Sequence, residues 1–160
     1  MTATRRQARE WAIQILTAAD LNPPSDIPAF IESQWGLLAS LDEEGCAPAK
    51  ARGGIRRFAE ERVSGVLSNM KELDDTLAGL LDNWDLYRLG TVERMVLRMG
   101  LWELRFTDIP APVVINEAID LANWFSSPKS RTLVNGVLDK YARKGRESRP
   151  AGGEGTGETE

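Results

Sequence analysis

The stretch VERMVLRMGLWELRF, Val92 to Phe106, decides how the rest of this chain can fold. Val92, Met95, Val96, Met99 and Phe106 recur at helical spacing, and Leu97, Leu101 and Leu104 add a second apolar face. A helix that is apolar almost all round belongs in the middle of a domain. Gly100 lies mid-helix, where glycine costs about 1 kcal/mol against alanine. Close approach of a neighbouring helix would offset that cost. Arg98 and Glu103 interrupt the apolar surface, and such residues are rarely buried unless paired. Both are expected to find partners.

Outward from this centre the remaining segments are also helical. Ala8, Ala12, Ile15, Leu16 and Ala19 form a stripe, with Trp11 beside it, in a first helix over residues 5–20 that Thr4 or Thr2 can cap. After Asn22-Pro23-Pro24-Ser25, Asp26 can cap a second helix to about Leu41. Asp42 to Gly54 reads as a loop, expected to be mobile. Ile55 to Leu67 marks a third helix, Leu73 to Trp84 a fourth, and Asp85 to Gly90 a turn before the central helix, which Thr91 could cap. Pro110 and Pro112 close the central helix. Val113 to Phe125 follows, and Ser127-Pro128 starts a last helix reaching about Arg143, in which Gly136 offers a smooth packing patch. The expected fold is all-α, about seven helices. Residues 1–145 form the helical domain, and residues 146–160, rich in Gly and Glu with no large apolar side chain, form a disordered tail.

Composition removes several function classes. The chain has 160 residues, a net charge of −4 and no histidine. The commonest general base and metal ligand is therefore missing, and a zinc site is excluded. Cys46 is the one cysteine, which argues weakly for a reducing compartment. The N-terminus lacks the apolar run of a signal peptide, and nothing approaches the ~20 apolar residues of a membrane helix, so a cytoplasmic protein is expected. No nucleophile–base pair or phosphate loop is visible, so the chain does not read as an enzyme.

The informative charges are at helix starts. Arg5, Arg6 and Arg9 occupy the first turns of the first helix, spaced to share a side. There the helix dipole disfavours cations by a few tenths of a kcal/mol each, roughly. A solvated face explains them about as well as an anion site in which dipole and arginines attract the same phosphates. Lys129 and Arg131 repeat the pattern at the last helix. If the two starts were neighbours, they would make one basic patch on an acidic protein.

The segments RRQAREWAIQIL, ELDDTLAGLLDNWDLYRLGTVERMVLRMGLWEL, INEAIDLANWF and SRTLVNGVLDKYARK, in this order over most of residues 5–144, resemble the NusB family of bacterial transcription antitermination factors. The resemblance implies a helical bundle of two small subdomains. It also implies binding of the boxA element of ribosomal-RNA leader transcripts, together with NusE, a small-subunit ribosomal protein, so that RNA polymerase reads through terminators. Carried over residue by residue, it places Arg5, Arg6 and Arg9 on RNA, with Lys129, Ser130, Arg131 and Leu133 on the same side. Trp84, Arg88 and Glu93 are assigned to the protein partner. Leu133 and Thr17 stand where some members carry an aromatic residue. The RNA is expected to be single-stranded, because unpaired bases are where proteins read RNA sequence. No cofactor is implied, and the free protein could be monomer or homodimer. A NusB-like domain also fronts certain RNA cytosine methyltransferases, a reading that the absence of a following catalytic domain disfavours. The alternative is a helical scaffold that keeps the protein partner without RNA.

Overall fold

The computed structural model describes residues 4–41, 54–82, 85–125 and 128–147. Among them are seven α-helices and no strand: α1 (Arg5–Leu21), α2 (Ile27–Ser40), α3 (Gly54–Ser68), α4 (Met70–Leu80), α5 (Thr91–Phe106), α6 (Ala111–Phe125) and α7 (Pro128–Glu147), with one 3-10 turn at Leu86–Arg88. The all-helical expectation holds. Trp84 and residues 42–53 lie outside the described residues, as do Ser127, Cys46 and residues 148–160.

The helix starts follow local chemistry. Thr4 caps α1: its hydroxyl accepts from the Gln7 N–H at 3.2 Å while the Gln7 side chain accepts from the Thr4 N–H at 2.9 Å. Asp26 caps α2 by accepting from the Ala29 N–H. The α5 start differs from expectation. Thr91 is already helical, and Gly90 is the cap, its N–H donating to the Glu93 carboxylate at 3.0 Å. Helix α4 ends at Leu80, short of Trp84, and α7 continues beyond Arg143 to Glu147, so the helix takes in the first two residues assigned to the tail.

Helix α5 is the centre of the molecule. Every residue from Arg94 to Leu101 is buried, and so is Glu103. The α1–α3 group packs on one side of α5 and the α6–α7 pair on another, with α4 bridging to both α5 and α7. One continuous apolar core runs through them, including Trp11, Ile15, Val63, Leu77, Met95, Leu97, Leu121 and Leu138. Phe106 departs from the expected stripe. It is 46% exposed at the end of α5, its ring 5.9 Å from that of Trp102.

The close approach expected at Gly100 is present: a Cβ there would lie 2.8 Å from Leu138 on α7. Gly136 does not have the packing role expected of it, since nothing lies within 4 Å of a Cβ at that position. A tighter approach occurs at Gly65, which receives the Trp102 indole from α5; a Cβ there would overlap the ring. Gly65→Ala should therefore destabilise the protein by about 1–3 kcal/mol through overpacking. Gly136→Ala, on an exposed helix surface, should stabilise it by up to about 1 kcal/mol. Urea unfolding of the two variants should give opposite signs; equal effects would contradict the α3–α5 contact.

Candidate nucleic-acid interface

The start of α1 places its three arginines in three different settings. Arg5 is exposed, and its guanidinium carbon lies 5.2 Å from the centroid of the Phe58 ring on α3. Arg6 points to α6. Its Nε donates to Glu117 Oε1 at 3.2 Å, and its Nη2 donates to Glu117 Oε2 at 2.8 Å and to Asp120 Oδ2 at 2.6 Å. These carboxylates, the Glu117 hydrogen bond foremost, push the Arg6 pKa up, and the same bond pulls the Glu117 carboxyl below its ordinary value.

Arg9 does not share the open side expected of the three arginines. It is 4% exposed, and its Nε donates to Glu103 at 3.0 Å. Arg62 of α3, equally buried, donates to the same Glu103 oxygen at 2.6 Å and to the Phe58 carbonyl at 3.2 Å. Its guanidinium stacks 3.3 Å from the Phe58 ring centroid. Burial pushes the Arg62 pKa down, and the Glu103 charge opposes that shift. Arg9 is thus enclosed in an Arg–Glu–Arg triad joining α1, α3 and α5, with no guanidinium face open to a phosphate. Its position against the dipole is explained by an internal carboxylate.

A second node fixes the other end of α1. Asp20 accepts from Arg94 at 2.9 Å and lies 3.5 Å from Arg98; Arg98 also donates twice to Asp74, at 2.8 and 2.9 Å. Burial works against the Arg98 cation, but the Asp74 hydrogen bond and charge outweigh it and raise its pKa. Both charges flagged in the central helix, Arg98 and Glu103, therefore have partners. The nodes run α1 antiparallel to α5.

The start of α7 is tethered by Ser130. That residue is 1% exposed, and its Oγ donates to Glu93 Oε2 at 2.6 Å. Ser130 is thus a buried joint between α5 and α7, and Glu93 is committed on both oxygens, to Gly90 and to Ser130. Leu133 is partly buried against the core. Lys129 and Arg131 are exposed and have no ion-pair partner among the described residues. Arg88 is likewise exposed, with its side chain unpaired among the described residues.

The two cationic starts are not immediate neighbours. One is anchored at Glu103 and the other at Glu93, ten residues apart on α5, about 15 Å by helix rise. Helix α6 contributes Glu117 and Asp120 at the α1 end. The face is thus two basic clusters with carboxylates beside one of them. Sequence reasoning missed Phe58 as the ring under Arg5 and Asp120 as a partner of Arg6. The three-residue spacing of Glu117 and Asp120 puts them on one helix face, but nothing in that spacing says which helix they meet.

Two outcomes follow. Glu103→Ala should cost about 3–5 kcal/mol in urea unfolding, because it removes the hydrogen-bonded carboxylate of two buried guanidinium groups and leaves only the longer contacts to Glu117 at 3.6 Å and Glu61 at 4.0 Å. A cost below 1 kcal/mol, roughly the ceiling for an exposed pair, would contradict the buried triad. Glu117 has a depressed pKa, so its contribution to stability is complete above its ordinary value of 4.5 and is lost as pH falls through the lower, folded-state value. The stability gap between the wild type and Glu117→Gln should therefore be constant near neutrality and close on acidification below about 4.5. A gap that widens in acid would reverse the assigned sign.

The NusB family model matches residues 6–143. The transcription antitermination protein NusB of a Nitratiruptor species is 37% identical over 142 residues, covering 89% of this chain and 94% of that protein. Among solved structures, T. maritima NusB superposes with a TM-score of 0.75 at 30% identity, covering 90% of this chain and 94% of that one. A crystal structure of antitermination factors NusB and NusE in complex with double-stranded RNA matches with a TM-score of 0.70 at 23% identity, covering 88% of this chain and 96% of that one, a likeness of fold alone. With the family pattern spanning nearly all the described helices, and relatives matched along almost their full length, this chain belongs to the NusB family.

Proposed function

We propose that this chain is a transcription antitermination factor. It binds the boxA element of ribosomal-RNA leader transcripts together with NusE and helps RNA polymerase read through terminators. It works by binding, without catalysis, in the cytoplasm. Family membership supports this reading. The observation that carries it to residues is the set of exposed cations at two helix starts that have no ion-pair partner among the described residues: Arg5 on α1, and Lys129 and Arg131 on α7. On a chain of net charge −4 these positions give a polyanion somewhere to land.

The burial pattern narrows the contact set. Arg5 is exposed, with its guanidinium carbon 5.2 Å from the Phe58 ring centroid, and an exposed guanidinium is suited to gripping a phosphate or stacking on a base. Arg6 stands on the rim. Arg9 and Ser130 act through the fold, Arg9 by anchoring α1 and Ser130 by setting the start of α7. Leu133 offers partial apolar surface but no ring, so aromatic stacking, worth ~1–3 kcal/mol per base, is missing there. RNA affinity of the chain alone is accordingly modest, and NusE raises it by adding surface. Of the residues assigned to the partner, Arg88 is exposed and available, whereas Glu93 supports α5 and α7 from within. Internal pairing of Arg6 and Arg9 is also what the alternative, a scaffold for a protein partner without RNA, would show.

A salt series separates the two. With boxA-type RNA, and with NusE present or absent, Arg5→Ala, Lys129→Ala and Arg131→Ala should each weaken binding. Each should flatten the dependence of log affinity on log salt by about 0.7 for every phosphate that the variant leaves unneutralised. Their melting temperatures should be unchanged, because none of the three holds a carboxylate among the described residues. Single- and double-stranded RNA belong in parallel, the single strand being expected to bind more tightly. Unchanged affinity in all three variants would favour the scaffold.

A further inference from the structure

The Arg6 guanidinium carries a fork of donors of the kind that recognises phosphate, and its Nε and Nη2 edge is already taken by carboxylates. Glu117 takes Nε and Nη2, at 3.2 and 2.8 Å, and Asp120 takes Nη2 again at 2.6 Å. The contacts are not sealed: the side chains of Arg6 and Asp120 are 46% and 49% exposed. Exposed ion pairs are weak, so a phosphate delivered as part of an already bound strand can exchange with them. The two carboxylates also differ. Glu117 is less exposed and lies 3.6 Å from Arg9, so it belongs partly to the buried network. Asp120 has Arg6 as its one ion-pair partner among the described residues.

Building on the RNA-binding reading above, we infer that Asp120 is an intramolecular competitor that occupies Arg6 and lowers the affinity of this face for RNA phosphate. The physical reason is twofold. A phosphate taking Nη2 must displace the Asp120 carboxylate, and one taking Nη1 must sit beside that negative charge. A single anion gains too little from one arginine to overcome both effects. An RNA strand held at Arg5 and at the α7 start delivers its next phosphate at high local concentration, and it can do so. Asp120 thus biases the face toward extended ligands with several phosphates.

The test uses the full chain and boxA-type single-stranded RNA. Asp120→Asn should tighten binding about threefold, the removal of one exposed pair converted to affinity. Asp120→Ala should do the same, which covers any peculiarity of the Asn side chain. Asp75→Asn, which removes an equally charged group 72% exposed on α4, controls for net charge and should give a smaller gain. In an Arg6→Ala background the Asp120→Asn gain should fall to that control level. A gain no larger than that of Asp75→Asn, or one that survives without Arg6, would overturn the inference. Failure of every chain, wild type included, to bind RNA would instead remove the functional reading, and the inference with it.

Discussion

The fold depends on one carboxylate. Glu103 lies 2% exposed between Arg9 and Arg62, and each of the helices α1, α3 and α5 contributes one member of the triad. Desolvating three charges is costly, and attraction alone seldom offsets that cost. Here the geometry is closed further. Arg62 stacks on Phe58 and bonds its carbonyl, and Arg9 lies 5.0 Å from the same ring. Such a network tolerates little displacement of any member. It therefore fixes how α1 crosses α5 and how α3 packs against both. The Asp20–Arg94–Arg98–Asp74 node repeats the constraint at the other end of α1. With both ends held, the first turn of α1 is presented in a defined orientation, and Arg5 with it.

That constraint also governs the surface. An arginine-rich helix start looks like a uniform cationic patch when read as text. In the folded chain its members divide by direction: Arg9 inward, Arg6 sideways onto α6, and Arg5 outward over Phe58. The α7 start divides in the same way, with Ser130 turned in to Glu93 while Lys129 and Arg131 face water. The exposed cations at these two helix starts are those that no carboxylate among the described residues has claimed. An acidic protein can in this way keep exposed positive charge at particular helix starts.

The sequence alone determined the elements. Helical spacing of apolar residues, Thr4 and Asp26 as caps, and prolines as stops are local signals, and local signals suffice for helix identity because backbone bonds in a helix close within four residues. The central place of α5 was legible for a related reason: a helix apolar on two faces must be covered on both. The need of Arg98 and Glu103 for partners was legible too, since buried charge demands compensation. The family resemblance was carried by ordered segments over most of the chain. Only the tertiary structure decided which partners those charges took, which glycine received a neighbour, and which arginines stayed exposed. Gly65 and Gly136 look alike in the text, yet one faces Trp102 and the other faces open space. Arg5 and Arg9 lie one helical turn apart, yet one is exposed and the other enclosed. These outcomes depend on contacts between residues distant in sequence, such as the 94 positions from Arg9 to Glu103. No periodicity within a single helix encodes what another helix will place against it.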